Sequence, residues 1–470
     1  MSKLIKPRES NQKNIFESIT IIEELQKDHY VVIDKPGTSI DKTLAHFNKK
    51  KQKGFTLNFD DPTHTHFNLS DIHNLNIQTS KHLLKVQKLL ISSHNLQTVS
   101  ASITNFQSEN FRKKESYYFR LIIPLQNKVD FHFAIQRFHY ETKRNRSSEC
   151  IRISYSDMQV DLYQYVDRKK DLNYLIIDAS EQTTLNSFSE YCFDTLVSFG
   201  YVTGSMPQNE GYFFAYNEDE LKEPKHFYYS EMRNSIRSVY VPIYSNAYGY
   251  IHESKLAEKI QPSLRPMNLE EFSRLCQWCH SSMDFSSILL LIIEAASSSL
   301  LVMPSSLSVA LEGITELIVK ENETKVVPIK DKKLAQKIRK ELKAIIDNYS
   351  EKLDAEGLQI LKGKIEHINQ PTNKSKLTKP FDLLKINLTE TDLKTIEHRN
   401  DFLHGRINLT YGNDVDSANK EIFYVALSLY TLVAALILKS IGYDNKILNH
   451  PKIHEKVYNL TIDEEYYRQL

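Results

Sequence analysis

At 470 residues the chain is too long for one ordinary hydrophobic core, so two or three domains are expected. Its 41% hydrophobic and 25% charged residues are typical of a soluble globular protein, and a net charge of +1 supplies no whole-protein field for nucleic acid, so any basic surface must be local. Twelve glycines argue against a glycine-rich phosphate-binding fold, and four cysteines (Cys150, Cys192, Cys276 and Cys279) are too few to staple a chain of this size.

The opening Met1 to Ser10 is polar and basic with no apolar segment behind it, which leads to the expectation of a cytoplasmic protein with no export signal. The next 250 or so residues alternate more than they coil. Phe55-Thr56-Leu57-Asn58-Phe59 and Phe131-His132-Phe133-Ala134-Ile135 have the two-residue period of strands. Tyr117 to Ile123, Cys150 to Tyr155, Gln159 to Tyr165 and Tyr174 to Ile177 are rich in aromatic and β-branched residues, with polar turns at Gln126–Lys128 and Asp167–Lys170 between them. A mostly antiparallel sheet or sandwich is expected. Ser187 to Gly200 reads as a helix with Phe188, Tyr191, Cys192, Leu196 and Phe199 on one face and Gly200 at its end. Gly211 to Phe214 and Val239 to Ile243 return to strand chemistry.

Two clusters in this half have a chemical reading and a plainer one. His64-Thr65-His66 near Asp60 and Asp61 sets two imidazoles on one strand face, but no further ligand stands at metal-binding spacing, and exposed strand histidines account for them. Phe138, Tyr140, Lys143, Arg144 and Arg146 combine rings and cations, able to clamp single-stranded nucleic acid or equally to be core residues beside a basic turn.

Between Lys255 and Asn268, where Pro262 and Pro266 sit, the period turns helical. The expected architecture is therefore α+β and multidomain: a β-rich sensing or regulatory domain over 1–260 and an all-α helical bundle over 261–470. The helix after Asn268 is free to pack on either. It carries Cys276-Gln277-Trp278-Cys279-His280, which spells a haem-attachment pattern; that chemistry needs export, and the two cysteines fit an amphipathic core face. Ile288 to Met303 is apolar but shorter than a membrane span, is interrupted by Glu294 and Ser297–Ser299, and is closed by Pro304; a buried helix, not a membrane segment, is expected. Leu334, Ile338, Leu342, Ile345 and Ile346 form one helical stripe, and Leu358, Leu361, Ile365 and Ile368 another. Lys320 to Pro380 holds 15 Lys+Arg against 9 Asp+Glu, either a track for RNA or the wet face of amphipathic helices. Asn369 to Pro380 reads as a polar loop, and the last long helix is capped by Ser417, apolar from Ile422 to Leu438, and ended by Gly442.

The most informative run is Glu397-His398-Arg399-Asn400-Asp401-Phe402-Leu403-His404-Gly405-Arg406. It lies on a helix starting near Thr389, where Thr389-Glu390-Thr391-Asp392 approximates a capping box. At about 100° per residue, Leu393, Ile396, Asn400, Leu403 and Ile407 share a stripe, and Arg399 and His404 flank it about 140° apart. Two groups so placed do not aim at one atom within one helix. They can meet across a groove if a second copy of the helix packs against the first, with Asn400 facing that interface and orienting one of them. A guanidinium that never loses its charge can hold a phosphate, and an imidazole titrating near neutrality can move protons beside it.

An Arg, a polar residue and then a His after four intervening positions, late in a helical half, resembles the motif of the HEPN superfamily ribonucleases; the two-part layout is similar to ApeA-like anti-phage HEPN proteins. The resemblance implies a metal-independent RNA endonuclease that uses no cofactor, with Arg399, Asn400 and His404 as catalytic residues. It further implies a homodimer or higher oligomer with a composite site, acting as a toxic effector in bacterial antiviral defence by abortive infection, with a phage-derived trigger sensed by the N-terminal domain. Glu312, on an earlier helix, is a candidate to orient Arg399, or a solvated helix residue. His398 and Arg406 bracket the motif and are candidates to grip flanking phosphates, or ordinary exposed polar residues. The rival reading is a non-catalytic dimeric interaction protein that uses the bundle for assembly.

Overall fold

The computed structural model describes residues 14–51, 53–60, 74–94, 98–141, 147–403, 415–458 and 461–470. The chain is α+β, β-rich in its N-terminal part and helical in its C-terminal part. It divides into two compact units, Met1–Asn246 with Arg265–Ser286, and Ala247–Leu264 with Ser287–Leu470.

The first unit opens with α1 (Phe16–Leu25) and six strands, β1 (His29–Asp34), β2 (Leu44–Lys49), β3 (Phe55–Asp60), β4 (Leu75–Gln78), β5 (Leu83–His94) and β6 (Thr98–Ser108). They pair antiparallel in the order β3-β2-β1-β4-β5-β6, and β6 pairs back onto β3, closing a six-stranded barrel. The alternation in β3 drives this: Phe55, Leu57 and Phe59 are buried while the residues between them are partly exposed. Inside, Phe55 stacks on Phe47 with centroids 5.0 Å apart and meets Phe106 and Tyr229 edge-on. Closure leaves β3 no open edge.

From β6 the sheet continues through β7 (Tyr118–Leu125), β8 (Phe138–Glu141), β9 (Ser147–Ser154), β10 (Gln159–Asp167) and β11 (Leu172–Ala179), followed by α2 (Leu185–Thr203), the short β12 (Ser205–Met206), β13 (Glu210–Tyr216), β14 (His226–Glu231) and β15 (Ile236–Arg237). The spatial order is β6-β14-β13-β7-β11-β10-β9-β8, and β12 pairs with β15. An ion pair crosses β7 and β11, where Arg120 and Asp178 stand opposite each other. Arg120 is fully buried; its Nε and Nη2 donate to the two Asp178 carboxylate oxygens at 2.7 and 2.8 Å, and Tyr163 Oη donates to Asp178 Oδ2 at 2.7 Å. The carbonyl of Asn14 accepts from Nη1 at 2.6 Å, so the segment before α1 is tied to the same network.

The second unit contains α3 (Ser254–Ile260). After α4 (Leu269–Ser281) and α5 (Met283–Ala295) come α6 (Met303–Glu321), α7 (Glu323–Val326), α8 (Lys332–Asp347), α9 (Ala355–Glu366), α10 (Asn373–Leu383), α11 (Glu390–Leu403) and α12 (Val415–Ser440). Helix α6 is the hub, packing on α10, α11 and α12. Within α12, Ala418–Ser440 is long and apolar enough to cross a membrane, but 83% of its most apolar window is buried inside the protein, as in a core helix. Helices α8 and α9 pack on each other as an arm. The base of the arm is closed by Asn369, which accepts from Ile329 N at 2.7 Å and donates to Ile329 O at 3.1 Å.

Several local expectations are corrected. Helix α4, capped reciprocally by Asn268 and Glu271, packs on α2 and β9 and so belongs with the β-rich unit. Phe131–Ile135 is a turn in which the Phe131 carbonyl accepts from the Ala134 and Ile135 amides; Phe131, Ala134 and Ile135 are the inward set, a helical spacing that mimicked alternation. Val239–Ile243 forms no strand, bending at Val239 and Pro242, and Val239 is 76% exposed. Helix α2 runs past Gly200 to Gly204, whose φ of +71° supplies the left-handed terminus; Gly200 is needed because a Cβ there would lie 2.6 Å from that of Met206. Residues 373–380 of the expected loop are helical: Thr372 caps α10, and Pro380 is buried within it. The apolar run after Ile288 breaks at Ala295, and Pro304 opens α6 instead of closing a helix. Helix α12 begins at Val415, ahead of Ser417.

Candidate active site: Arg399 and its cleft

The motif helix α11 is fixed at its start. Thr389 Oγ1 accepts from Asp392 N at 3.1 Å and Asp392 Oδ2 accepts from Thr389 N at 2.8 Å, a capping box with Asp in the acidic role. Arg468, on the C-terminal strand Tyr467–Gln469, grips the same carboxylate through both terminal nitrogens, one at 2.9 Å, and also donates to Asn387 O. Asp392→Ala removes the cap and strands a largely buried guanidinium, and should destabilise the helical unit by about 2 kcal/mol in urea titration.

Among the described side chains of α11, Asp392, Thr395, Ile396 and Arg399 are buried, at i, i+3, i+4 and i+7. Arg399 is thus buried, on the same side of the helix as Ile396 of the expected apolar stripe. What the apolar stripe did not disclose is that this buried side also carries a cation to a carboxylate. Arg399 is 4% exposed, and its Nη1 stands 2.9 Å from Glu312 Oε1 on α6, a carboxylate whose own side chain is 46% exposed. Burial pulls the Arg399 pKa down from its ordinary value and Glu312 opposes that pull.

This pair borders a cleft of about 940 Å³ in the helical unit. Its wall holds Lys320, Arg339, Lys376 and Arg399 against Glu312, Glu316, Glu323 and Glu366, so charge there is balanced. The basic excess of 320–380 is likewise partly neutralised: Glu366 takes both Lys343 and Arg339, Lys362 meets Asp347 at 2.5 Å, and Lys374 meets Glu397 at 2.9 Å. The contributions of Arg339 and Lys376 were not legible from the motif, since each comes from a different helix and nothing local marks it.

His398 is exposed on α11. Asn400 follows Arg399 in the same helix, while His404 and Arg406 lie outside the described residues. So do His64, His66, Lys143, Arg144 and Arg146. The ring of Phe138 has the Arg152 guanidinium 4.7 Å from its centre. Cys276 and Cys279 are buried in the β-rich unit, and burial pushes the Cys279 thiol up to about 12. His280 bonds Asp194 Oδ2 through Nδ1 at 2.9 Å and stacks on Tyr191. Among the described residues no group of three His, Cys, Asp or Glu side chains is arranged to hold a metal. Compared with known proteins, the chain matches no family model, no curated protein and no solved structure.

Proposed function

We propose that the chain is a metal-independent RNA endonuclease of the HEPN type, with Arg399 as its phosphate-stabilising cation and His404 as its proton-transfer group. The observation that carries this reading is the Arg399–Glu312 pair at the edge of the cleft: a desolvated guanidinium, fixed by one carboxylate, five positions before an imidazole. A cation held before the substrate arrives pays little reorganisation when negative charge builds on phosphorus. In the proposed reaction His404 takes the proton of the ribose 2′-hydroxyl, and the 2′-oxygen attacks the adjacent phosphorus. Arg399 stabilises the pentacoordinate transition state. The P–O5′ bond breaks, and the proton that His404 took from the 2′-hydroxyl returns to the leaving O5′, giving a 2′,3′-cyclic phosphate and a 5′-hydroxyl. Asn400 orients the pair, and a second copy of the chain completes the site. A cytoplasmic toxic role in antiviral defence, restrained by the β-rich unit until a phage-derived trigger appears, fits such an activity.

The test is cleavage of an RNA oligonucleotide and its all-deoxy counterpart by purified protein in excess EDTA. Cyclic-phosphate products from RNA alone support the proposal; equal cutting of DNA, or cutting only with added metal, would overturn it. A second reading, an assembly module without catalysis, has its own support in the α8–α9 arm, where Leu334 (47%), Ile345 (51%) and Ile360 (51%) are exposed. It predicts no cleavage by wild type above that of the Arg399→Ala variant.

A further inference from the structure

The six-stranded barrel is filled by its own side chains. Phe47, Phe55, Leu57 and Phe106 are fully buried, so anything the barrel holds lies on its outer face. That face is not evenly polar. Residues alternate across a strand, so Tyr30 and Val32 point outward on β1, and Leu44, His46 and Asn48 point outward on β2. Tyr30 stands opposite His46 and Val32 opposite Leu44. Tyr30 is 78% exposed, Leu44 63% and Val32 40%, and the Tyr30 and His46 ring centroids are 5.2 Å apart. Single exposed apolar residues are ordinary; three grouped with a second ring on two paired strands form a platform.

Polar groups follow in the same outward register. Asn48 Oδ1 accepts from Thr56 Oγ1 at 2.5 Å and from Asn58 Nδ2 at 3.3 Å. These bonds hold the two amides side by side. They leave Asn48 Nδ2 and Asn58 Oδ1, a donor and an acceptor, without a partner among the described residues. Such a pair matches the hydrogen-bonding edge of an unpaired base.

Cations come next. Lys50 Nζ donates to Ser102 Oγ at 2.6 Å, and Ser102 stands opposite Thr56 on β3, which puts Lys50 on the same outer face. Lys51 beside it is exposed. Lys49 and Lys53 meet Glu210 and Glu231, whereas neither Lys50 nor Lys51 meets a carboxylate among the described residues. Residues 29–108 hold nine lysines against five aspartates, a net +4 in a chain whose total is +1. The barrel is thus the local basic surface that the whole-chain charge hides, and it is complementary to a polyanion. From His46 to Lys50 the track is about 13 Å long at roughly 3.3 Å per residue.

We infer that this outer face holds single-stranded RNA. One base stacks on Tyr30 and His46, the edge of a neighbouring base meets Asn48 and Asn58, and phosphates lie at Lys50 and Lys51. Ring, amide and cation in that order along one strand match the parts of an unpaired nucleotide chain. A duplex keeps its base faces covered and gives the platform nothing to stack. The choice of RNA rests on the nuclease reading above and adds where that substrate is held.

Fluorescence anisotropy of a labelled RNA octamer tests it, on the full chain carrying Arg399→Ala so that the probe stays whole. The single strand should bind at least about tenfold more tightly than the same sequence in a duplex. Tyr30→Ala should weaken binding about tenfold, and Tyr30→Phe, which keeps the ring, should stay within about twofold. Lys50→Ala with Lys51→Ala should lower the slope of log affinity against log salt by about 1.4, two phosphates at about 0.7 each. Unchanged melting temperatures certify the comparison. No binding of the octamer, equal binding of the duplex, an affinity untouched by Tyr30→Ala or a salt slope untouched by the lysine pair would overturn the inference and leave the patch to a protein partner. The two readings fail separately. RNA held through Tyr30 but never cut by wild type sinks only the nuclease, and RNA cut while the barrel variants bind at full affinity sinks only this surface.

Discussion

Arg399→Ala is expected to lower RNA cleavage by about 100- to 1,000-fold, the usual effect of deleting one preorganised donor to a developing oxyanion. The fold should survive it. Glu312, the carboxylate left behind, is 46% exposed and can be hydrated in place, so the melting temperature should move by no more than a few degrees. Arg399→Lys should recover only part of the rate, since an ammonium keeps the charge but not the planar fork that grips two oxygens at once. His404→Ala should be as damaging as Arg399→Ala, and the double variant little worse than either, because groups serving one transition state are not additive. Initial rates on a fluorescent RNA oligonucleotide in EDTA give all four values. Comparable rates for wild type and Arg399→Ala would remove Arg399 from the chemistry.

Asp178→Ala should have the largest effect on stability, a loss of about 3–5 kcal/mol from the β-rich unit. The side chain of Arg120 is wholly buried, and it gives two hydrogen bonds to Asp178. Truncating the acid leaves a full charge in the sheet interior among neutral groups such as the Asn14 carbonyl, the Tyr163 hydroxyl and the Tyr216 side chain. The pair as a whole is worth much less than the cost of breaking it, because both ions were desolvated on folding. Replacing both, Arg120→Met with Asp178→Leu, should therefore be milder than Asp178→Ala alone. Urea denaturation followed by tyrosine fluorescence measures the three proteins. A double variant less stable than the single one would contradict this view of the network.

How much was legible in the sequence follows from the range of each signal. Strands β3, β7, β9, β10, β11 and β13 were readable because each carries its pattern within one short run. Closure of the barrel was not, since it depends on β3 pairing with β6 about forty residues later, and no local residue encodes a second partner. The amphipathic stripes of α8 and α9 located those helices but overstated their burial. Ala335 and Ile365 are their buried residues, because the two helices pack chiefly on each other. At the site, the Thr389–Asp392 cap could be read directly. The inward turn of Arg399 could not, because it depends on Glu312, 87 positions earlier, and on Arg468, 69 positions later, holding the helix in that rotation. Hydropathy counts an arginine as outward-facing; an arginine partnered by a distant carboxylate is the exception it cannot register.

The proposed two-copy site is tested most directly by mixing. Arg399→Ala and His404→Ala proteins, each expected to be about 100- to 1,000-fold impaired, are unfolded together and refolded in equal amounts so that subunits exchange. If Arg399 of one copy works with His404 of the other, half of the dimers are mixed and each keeps one intact site of two, so cleavage should return to about a quarter of the wild-type rate. A mixture no more active than either parent would contradict a site built from two copies of α11.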